Sequence, residues 1–131
     1  MAKIIHAMYR VSNLERSINF YKLALGLEVV NEIDFTDFTL VYLKNDESNF
    51  EIELTFNKNN NEPYTQGTGY GHIAVAVDNL EEAHERLQSL NFNPKAIKSI
   101  SLTDNMKARF FFVTDPDGYE IEFLAKGGRF S

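Results

Sequence analysis

The chain repeats one pattern, and each copy places one histidine and one glutamate at matching points. The first copy opens with HAMYRVSNLERS at His6, and the second opens with HIAVAVDNLEEA at His72. Each copy closes with an acidic run, FEIELTF containing Glu53 and YEIEFLA containing Glu122. One copy alone would leave a sheet face uncovered, so pairing of the two modules is expected. The repeated His and Glu pair predicts one metal centre built from two half-sites.

Apolar periodicity predicts the order βαβββ in each copy, which is an α+β fold class. Ser12 or Asn13 can cap the first helix, which Gly26 ends, and Asp78 or Asn79 can cap the second. The predicted strands are 3–11, 27–34, 38–44 and 49–57 in the first copy, and 70–77, 95–102, 107–114 and 119–125 in the second.

The predicted organisation is a single domain, 1–131, made of two repeats. The repeats cover about 1–57 and about 70–126, and a short tail follows at 127–131. The connecting segment, 58–69, is polar, rich in Asn and contains Pro and Gly, a composition typical of a linker.

Composition excludes several classes of protein. Hydrophobic residues make up 44% of the chain and Phe occurs 11 times, which is ample for a core. A net charge of −6 argues against nucleic-acid binding, which normally needs a basic face. No apolar run approaches the roughly 20 residues of a membrane span, and the opening segment MAKIIHAMYR is not expected to act as a secretion signal. The chain has no Cys, so thiolate ligands are excluded, and a cytoplasmic location is the default expectation.

Two imidazoles and two carboxylates form a hard-to-borderline donor set. Such a set suits Zn²⁺, Ni²⁺, Co²⁺ or Fe²⁺ better than Ca²⁺ or Mg²⁺, which prefer oxygen ligands. An ion with open positions can bind two neighbouring substrate oxygens, and a nearby Glu can move a proton between adjacent carbons. A solvent-facing strand would explain one acidic strand equally well, but not the repeated pairing with His. The third histidine, His84, has no counterpart in the first copy and is expected to face solvent.

Two further side chains share the strand face of the first half-site. Arg10 follows His6 by four residues, and Asn57 follows Glu53 by four, so each lies about 13 Å farther along the same face. That distance suits the remote, anionic part of a substrate, and Arg favours carboxylates. The alternatives are a surface ion pair for Arg10 and a turn residue for Asn57.

The motifs IIHAMYRVSNLERSINFY, IELTFN, YGHIAVAVDN and DPDGYEIEFL resemble the glyoxalase I (lactoylglutathione lyase) family of the vicinal oxygen chelate superfamily. The resemblance covers almost the whole chain and implies mixed sheets around a metal site. It implies that the proton-transfer base is Glu122, with Glu53 facing it across the metal. It further implies that Arg10 and Asn57 contact glutathione. The four metal ligands that the resemblance implies are His6, Glu53, His72 and Glu122.

The activity that the resemblance implies is methylglyoxal detoxification. A lyase of this family converts the hemithioacetal of methylglyoxal and glutathione to S-lactoylglutathione through an enediolate held by the metal. Members are typically homodimers, with each site shared between two subunits. A His at the first ligand position of a short chain is similar to bacterial members that prefer Ni²⁺ or Co²⁺, whereas Zn²⁺ members usually carry Gln there.

Several alternatives stay open at this stage. Thr68 stands where Zn²⁺-type members carry a glutathione-binding Arg, and the cationic contact expected from 95–109 has only Lys98 and Lys107 as candidates. The thiol could be glutathione, bacillithiol or trypanothione. A paralogous epimerase or dioxygenase and a metal-free ligand-binding resistance protein are the competing functions. A monomer that folds its two modules together would build the same site as a dimer with shared sites.

Overall fold

The computed structural model describes every residue of the chain, 1–131, as two compact units. The first unit is Met1–Thr65 and the second is Gln66–Ser131, so the division falls inside the predicted linker. That the two repeats form one domain stays a prediction. None of the helices combines the length and apolar character that crossing a membrane requires.

Each unit contains one helix and one four-stranded mixed sheet, which confirms the predicted α+β class and the βαβββ order. In each sheet the first and last strands of the repeat are parallel neighbours, and the other pairings are antiparallel. The sheet orders are β1-β4-β3-β2 and β5-β8-β7-β6. The first unit comprises β1 (His6–Arg10), α1 (Leu14–Leu25), β2 (Glu28–Asp34), β3 (Phe38–Lys44) and β4 (Glu51–Asn57). The second comprises β5 (His72–Val77), α2 (Leu80–Ser89), β6 (Lys98–Thr103), β7 (Met106–Thr114) and β8 (Glu120–Ala125).

Asparagine caps both helices, which decides between the two candidates at each start. The side chains of Asn13 and Asn79 each accept a 3.0 Å hydrogen bond from the backbone N–H three residues later. Ser12 instead accepts a hydrogen bond from the Arg16 guanidinium. α1 ends at Gly26, whose φ of 69° is the left-handed conformation that glycine adopts without steric cost.

One face of each sheet belongs to the core, because strand side chains alternate between faces. In β3 every second residue is buried, including Val41 and Leu43. In the second unit α2 packs on β7 and β8, where the rings of Phe111 and Phe123 stack at 4.8 Å. The opposite face of each sheet carries the repeated histidine and glutamate, so these side chains are not part of the core.

The turn between β7 and β8 is tightened by one carboxylate and one glycine. The Asp115 carboxylate accepts hydrogen bonds from the backbone N–H groups of Asp117 and Tyr119, both at 2.9 Å. Gly118 has a φ of 96°, and a Cβ there would lie 2.8 Å from the Gln66 side-chain oxygen. The Gln66 side chain also donates a 2.8 Å hydrogen bond to the Asp117 carbonyl. The start of the second unit is therefore fixed to its own last turn.

Replacing Gly118 tests this contact. We expect Gly118→Ala to lower the free energy of unfolding by about 1–3 kcal/mol, because the left-handed backbone and the contact with Gln66 both oppose a Cβ. Gly69→Ala is the matched control, since no atom lies within 4 Å of its added Cβ and its φ is ordinary. Urea denaturation of the two variants provides the comparison. Equal stability of both variants would show that the turn tolerates a side chain.

Candidate functional site

The first His and Glu pair lies on the parallel strands β1 and β4. In the register of these strands His6 lies opposite Glu51 and Met8 lies opposite Glu53, so all four side chains share one face. The Nε2 atom of His6 lies 3.5 Å from a carboxylate oxygen of Glu53. The imidazole is 34% exposed and the carboxylate side chain 11% exposed. The pair therefore forms a partly open half-site.

The second pair repeats this geometry on β5 and β8. Its register places His72 opposite Glu120 and Ala74 opposite Glu122. The Nε2 atom of His72 lies 3.4 Å from a carboxylate oxygen of Glu122, and the two side chains are 41% and 17% exposed. The same offset of two residues in the same parallel pairing explains why the two half-sites are alike.

The donor atoms of each half-site fit a divalent metal ion. An imidazole nitrogen and a carboxylate oxygen lie side by side, each with access to solvent, which is a donor set suited to borderline ions. No group of three or more His, Asp or Glu side chains suited to a metal occurs in the structure. Each pair is therefore at most half of a metal site, and the four-ligand centre stays a prediction.

An aromatic residue on the neighbouring strand stands against each histidine. The Tyr42 ring makes an edge-to-face contact with His6 at 5.9 Å, and the Phe112 ring makes one with His72 at 5.1 Å. A hydrogen bond to Glu53 is the main cause that raises the pKa of Tyr42 to about 12; burial and nearby negative charge contribute less. Sequence reasoning placed neither aromatic beside a histidine, although alternation along FTLVYLK and KARFFFVT could have placed them on this face.

The predicted substrate-binding residues lie beyond the first half-site on the same face. Arg10 is the exposed last residue of β1, and Asn57 is the half-buried last residue of β4. The amide of Asn57 donates a 3.2 Å hydrogen bond to the Tyr64 hydroxyl, and its backbone carbonyl accepts one from the Asn60 N–H at 3.2 Å, so Asn57 also begins the turn that follows β4. Thr55 lies opposite Arg10 and is 7% exposed, and its hydroxyl has no protein hydrogen-bond partner. Sequence reasoning missed this polar group, which carries no signal beyond its place on the face.

The strand register places the two candidate lysines on opposite faces of the second sheet. Lys98 lies opposite Phe110, and Phe110 lies opposite Leu124, so Lys98 shares the face of Glu122. Lys107 is an odd-numbered residue of β7, and its face is that of the buried Phe111. Lys98 is therefore the better placed of the two cations.

The third histidine belongs to the packing of α2, and the expectation that it faces solvent is wrong. His84 is half-buried, its ring stands edge-to-face against Phe111 at 5.0 Å, and its Nε2 lies 2.9 Å from the Lys95 carbonyl oxygen. The helical periodicity of the sequence gave no hint of this contact, because the carbonyl belongs to the segment that follows α2. His84 is therefore explained without a metal.

Comparison with known proteins identifies the family. The family model described as the Glyoxalase/Bleomycin resistance protein/Dioxygenase superfamily matches residues 3–123, and the chain belongs to this superfamily. A lactoylglutathione lyase of Neisseria meningitidis serogroup A is 38% identical over 128 residues, 95% of this chain and 91% of the relative. One of Haemophilus influenzae is 36% identical over 126 residues, 93% of this chain and 91% of the relative.

A solved structure agrees with these relatives. The trypanothione-dependent glyoxalase I of Leishmania major matches with a TM-score of 0.74 and 32% identity, covering 95% of this chain and 87% of the other. The resemblance to glyoxalase I and the fold of two βαβββ modules with mixed sheets are thus confirmed, and the metal site between the sheets stays a prediction. The relatives that match almost the whole chain are named as enzymes, lactoylglutathione lyases.

The unpartnered hydroxyl of Thr55 is expected to contribute little to the stability of the fold. We expect Thr55→Val to change the free energy of unfolding by less than about 0.5 kcal/mol or to raise it, because a buried hydroxyl without a partner contributes nothing favourable. Thr39→Val is the matched control, since Thr39 is equally buried and donates a 2.7 Å hydrogen bond to the Asp34 carboxylate. We expect this control to lose about 1 kcal/mol. Thermal and urea unfolding measure both, and a larger loss for Thr55→Val would contradict the assignment.

Proposed function

We propose that this chain is a metal-dependent glyoxalase I. The proposed reaction converts the hemithioacetal of methylglyoxal and glutathione to S-lactoylglutathione. The observation that carries the proposal is the repeated half-site, in which His6 lies 3.5 Å from Glu53 and His72 lies 3.4 Å from Glu122. The relatives named lactoylglutathione lyase support it, because they match over more than nine-tenths of the chain.

The proposed metal ligands are the four side chains of the two half-sites, His6, Glu53, His72 and Glu122. When bound, a divalent ion would supply Lewis acidity to the two adjacent oxygens of the substrate. Ni²⁺ or Co²⁺ is favoured and Zn²⁺ is possible, since imidazole and carboxylate donors accept all three ions and the first ligand is His rather than Gln.

Glu122 is the proposed base, and its surroundings suit the task. Its carboxylate takes the proton from the carbon that bears the sulfur and returns it to the neighbouring carbonyl carbon. The hydroxyl proton passes to the neighbouring oxygen, so the hemithioacetal and the thioester have the same composition. The Glu122 side chain is only 17% exposed, which limits exchange of the carried proton with water.

Arg10 and Asn57 are the proposed contacts for the thiol part of the substrate. Arg10 offers a guanidinium suited to a carboxylate, and the Asn57 amide lies on the same face at the end of the adjacent strand. On the second sheet Lys98 is the proposed cationic contact, because it shares the face of Glu122. The chain has a net charge of −6, which repels anions. The positive charges of Arg10 and Lys98 would offset this repulsion near the substrate.

One assay tests both the reaction and the base. Metal-stripped protein is reconstituted separately with Ni²⁺, Co²⁺, Zn²⁺ and Mn²⁺ and mixed with methylglyoxal and glutathione, and formation of S-lactoylglutathione is followed. We expect strong turnover with Ni²⁺ or Co²⁺ and little with Zn²⁺. We expect Glu122→Gln to lower kcat at least about 100-fold with the fold retained, because an amide cannot accept the proton.

Glu120→Gln is the matched control for this assay. Glu120 lies on the same strand and face two residues earlier, and its carboxylate accepts a 2.7 Å hydrogen bond from Thr114, which an amide oxygen can also accept. Its activity should stay within a few-fold of the unaltered protein. Tight metal binding without turnover under any ion would reject this substrate, and full activity of Glu122→Gln would reject Glu122 as the base.

We further propose a homodimer in which each site takes one half-site from each chain. If so, mixing and refolding two inactive variants, His6→Ala and His72→Ala, should restore up to about a quarter of the unaltered activity. Half of the dimers would then be mixed, and each mixed dimer would have one intact site of two. Sedimentation of the mixture checks that dimers form. No recovery from mixed dimers would place both half-sites of a centre on one chain.

A further inference from the structure

The segment that follows β4 folds back on the end of the strand that it leaves. The Asn60 N–H donates a 3.2 Å hydrogen bond to the Asn57 carbonyl, which forms a tight turn after the strand. The Asn60 side chain then donates a 2.9 Å hydrogen bond to the Glu62 carbonyl. Pro63 restricts its own backbone and that of the residue before it. These features return the chain to Asn57 at Tyr64.

Tyr64 is the residue of this loop that is drawn into the fold. Residues 58–63 and 65 are exposed, whereas Tyr64 is half-buried. Its hydroxyl accepts a 3.2 Å hydrogen bond from the side-chain amide of Asn57. A tyrosine combines a large apolar ring with a polar tip. Partial burial of the ring and the hydrogen bond therefore act together to fix the loop at Asn57.

The Asn57 amide lies at the end of a strand face that carries another unused polar atom. Thr55 lies between Glu53 and Asn57 on the same face of β4, because strand side chains alternate. The Thr55 hydroxyl is buried and has no protein hydrogen-bond partner, a condition that water or a ligand usually relieves. Arg10 stands opposite Thr55 at the end of the neighbouring strand β1. This end of the sheet therefore suits the polar part of a ligand.

The hydrogen bond to Tyr64 determines which way the Asn57 amide faces. The last torsion of an asparagine side chain is broad and roughly two-fold, so a free amide can exchange the places of its nitrogen and its oxygen. The contact holds the nitrogen on the side of the loop. The amide oxygen and the second N–H then remain for a ligand, and the oxygen can accept a hydrogen bond from an ammonium or hydroxyl group.

We propose that Tyr64 is a positioning residue for the thiol part of the substrate, and that it acts by fixing the Asn57 amide before the substrate binds. The identity of the ligand, a glutathione adduct, rests on the proposed function. An amide that is already oriented loses less side-chain freedom when the ligand arrives, which improves affinity. Tyr64 therefore contributes to binding of the substrate and takes no part in proton transfer.

Nuclear magnetic resonance of the free protein tests the contact without any ligand. Tyr64→Phe keeps the ring and loses only the hydroxyl. We expect it to lower the order parameter of the Asn57 side-chain amide from about 0.85 to below about 0.6. Asn61→Ala is the control, because Asn61 is an exposed residue of the same loop, and it should leave the amide rigid. An amide that is equally rigid in both variants would overturn the role of Tyr64.

A double-mutant cycle shows whether Tyr64 acts through Asn57. S-methylglutathione, an unreactive thioether, is titrated calorimetrically into the Ni²⁺-loaded unaltered protein, Tyr64→Phe, Asn57→Ala and the double variant. We expect Tyr64→Phe to raise the Kd about fivefold, the effect of losing one hydrogen bond. In the Asn57→Ala background the same exchange should change the Kd less than about twofold. A merely structural role would raise the Kd equally in both backgrounds, and that result would refute the proposal.

Steady-state kinetics separates binding from chemistry. Tyr64→Phe should raise KM for the hemithioacetal about fivefold and leave kcat within about twofold, because the lost interaction stabilises the bound substrate and the transition state alike. A fall in kcat at unchanged KM would contradict a role confined to binding.

The two proposals fail in different ways. If the unaltered protein binds S-methylglutathione but forms no S-lactoylglutathione, the proposed function fails, and the cycle still decides the role of Tyr64. If the unaltered protein is active and the effects of the two substitutions simply add, the proposed function stands and the inference about Tyr64 fails. No binding of S-methylglutathione by the unaltered protein would overturn both the assignment of the thiol and the role of Tyr64.

Discussion

Parallel pairing of the first and last strands of each repeat is the constraint on which the candidate site depends. Parallel strands need a long crossover, and here the crossover consists of a helix and two antiparallel strands. The pairing fixes a register in which the histidine of one strand lies two positions from the glutamate of its neighbour on one face. Neither residue is near the other in sequence, so the fold alone makes each pair. A slip of one residue would send one partner to the opposite face.

Much of the fold could be predicted, because its signals are local. Alternation gave the strands, the two candidate caps placed each helix start to within one residue, and Gly26 gave the end of α1. The strand starts were less accurate: β1 begins at His6 rather than residue 3, because its pairing begins only where the parallel partner β4 begins, at Glu51. The contacts of His84 were missed for a related reason, because its partner carbonyl comes from the segment after the helix.

The candidate site shows the same division between local and distant information. The repeat drew attention to the histidines and glutamates, and the resemblance to a family gave them roles. The orphaned hydroxyl of Thr55 and the contact of Tyr42 with Glu53 needed the register of β3 on β4. Lys98 and Lys107 were equal in sequence and separated only when the strand faces were known. The type of a residue thus suggests its chemistry, whereas the pairing of strands decides which side chains lie close enough to act together.

The contact between Gln66 and the β7–β8 turn also affects how the chain could be divided. The side chain of Gln66 binds the Asp117 carbonyl at 2.8 Å and covers Gly118, so both partners lie on the carboxyl side of the Thr65–Gln66 bond. Opening that bond would remove no strand pairing and would leave this contact inside the second fragment. The bond is therefore a natural position for producing the halves as separate polypeptides, each labelled independently for spectroscopy.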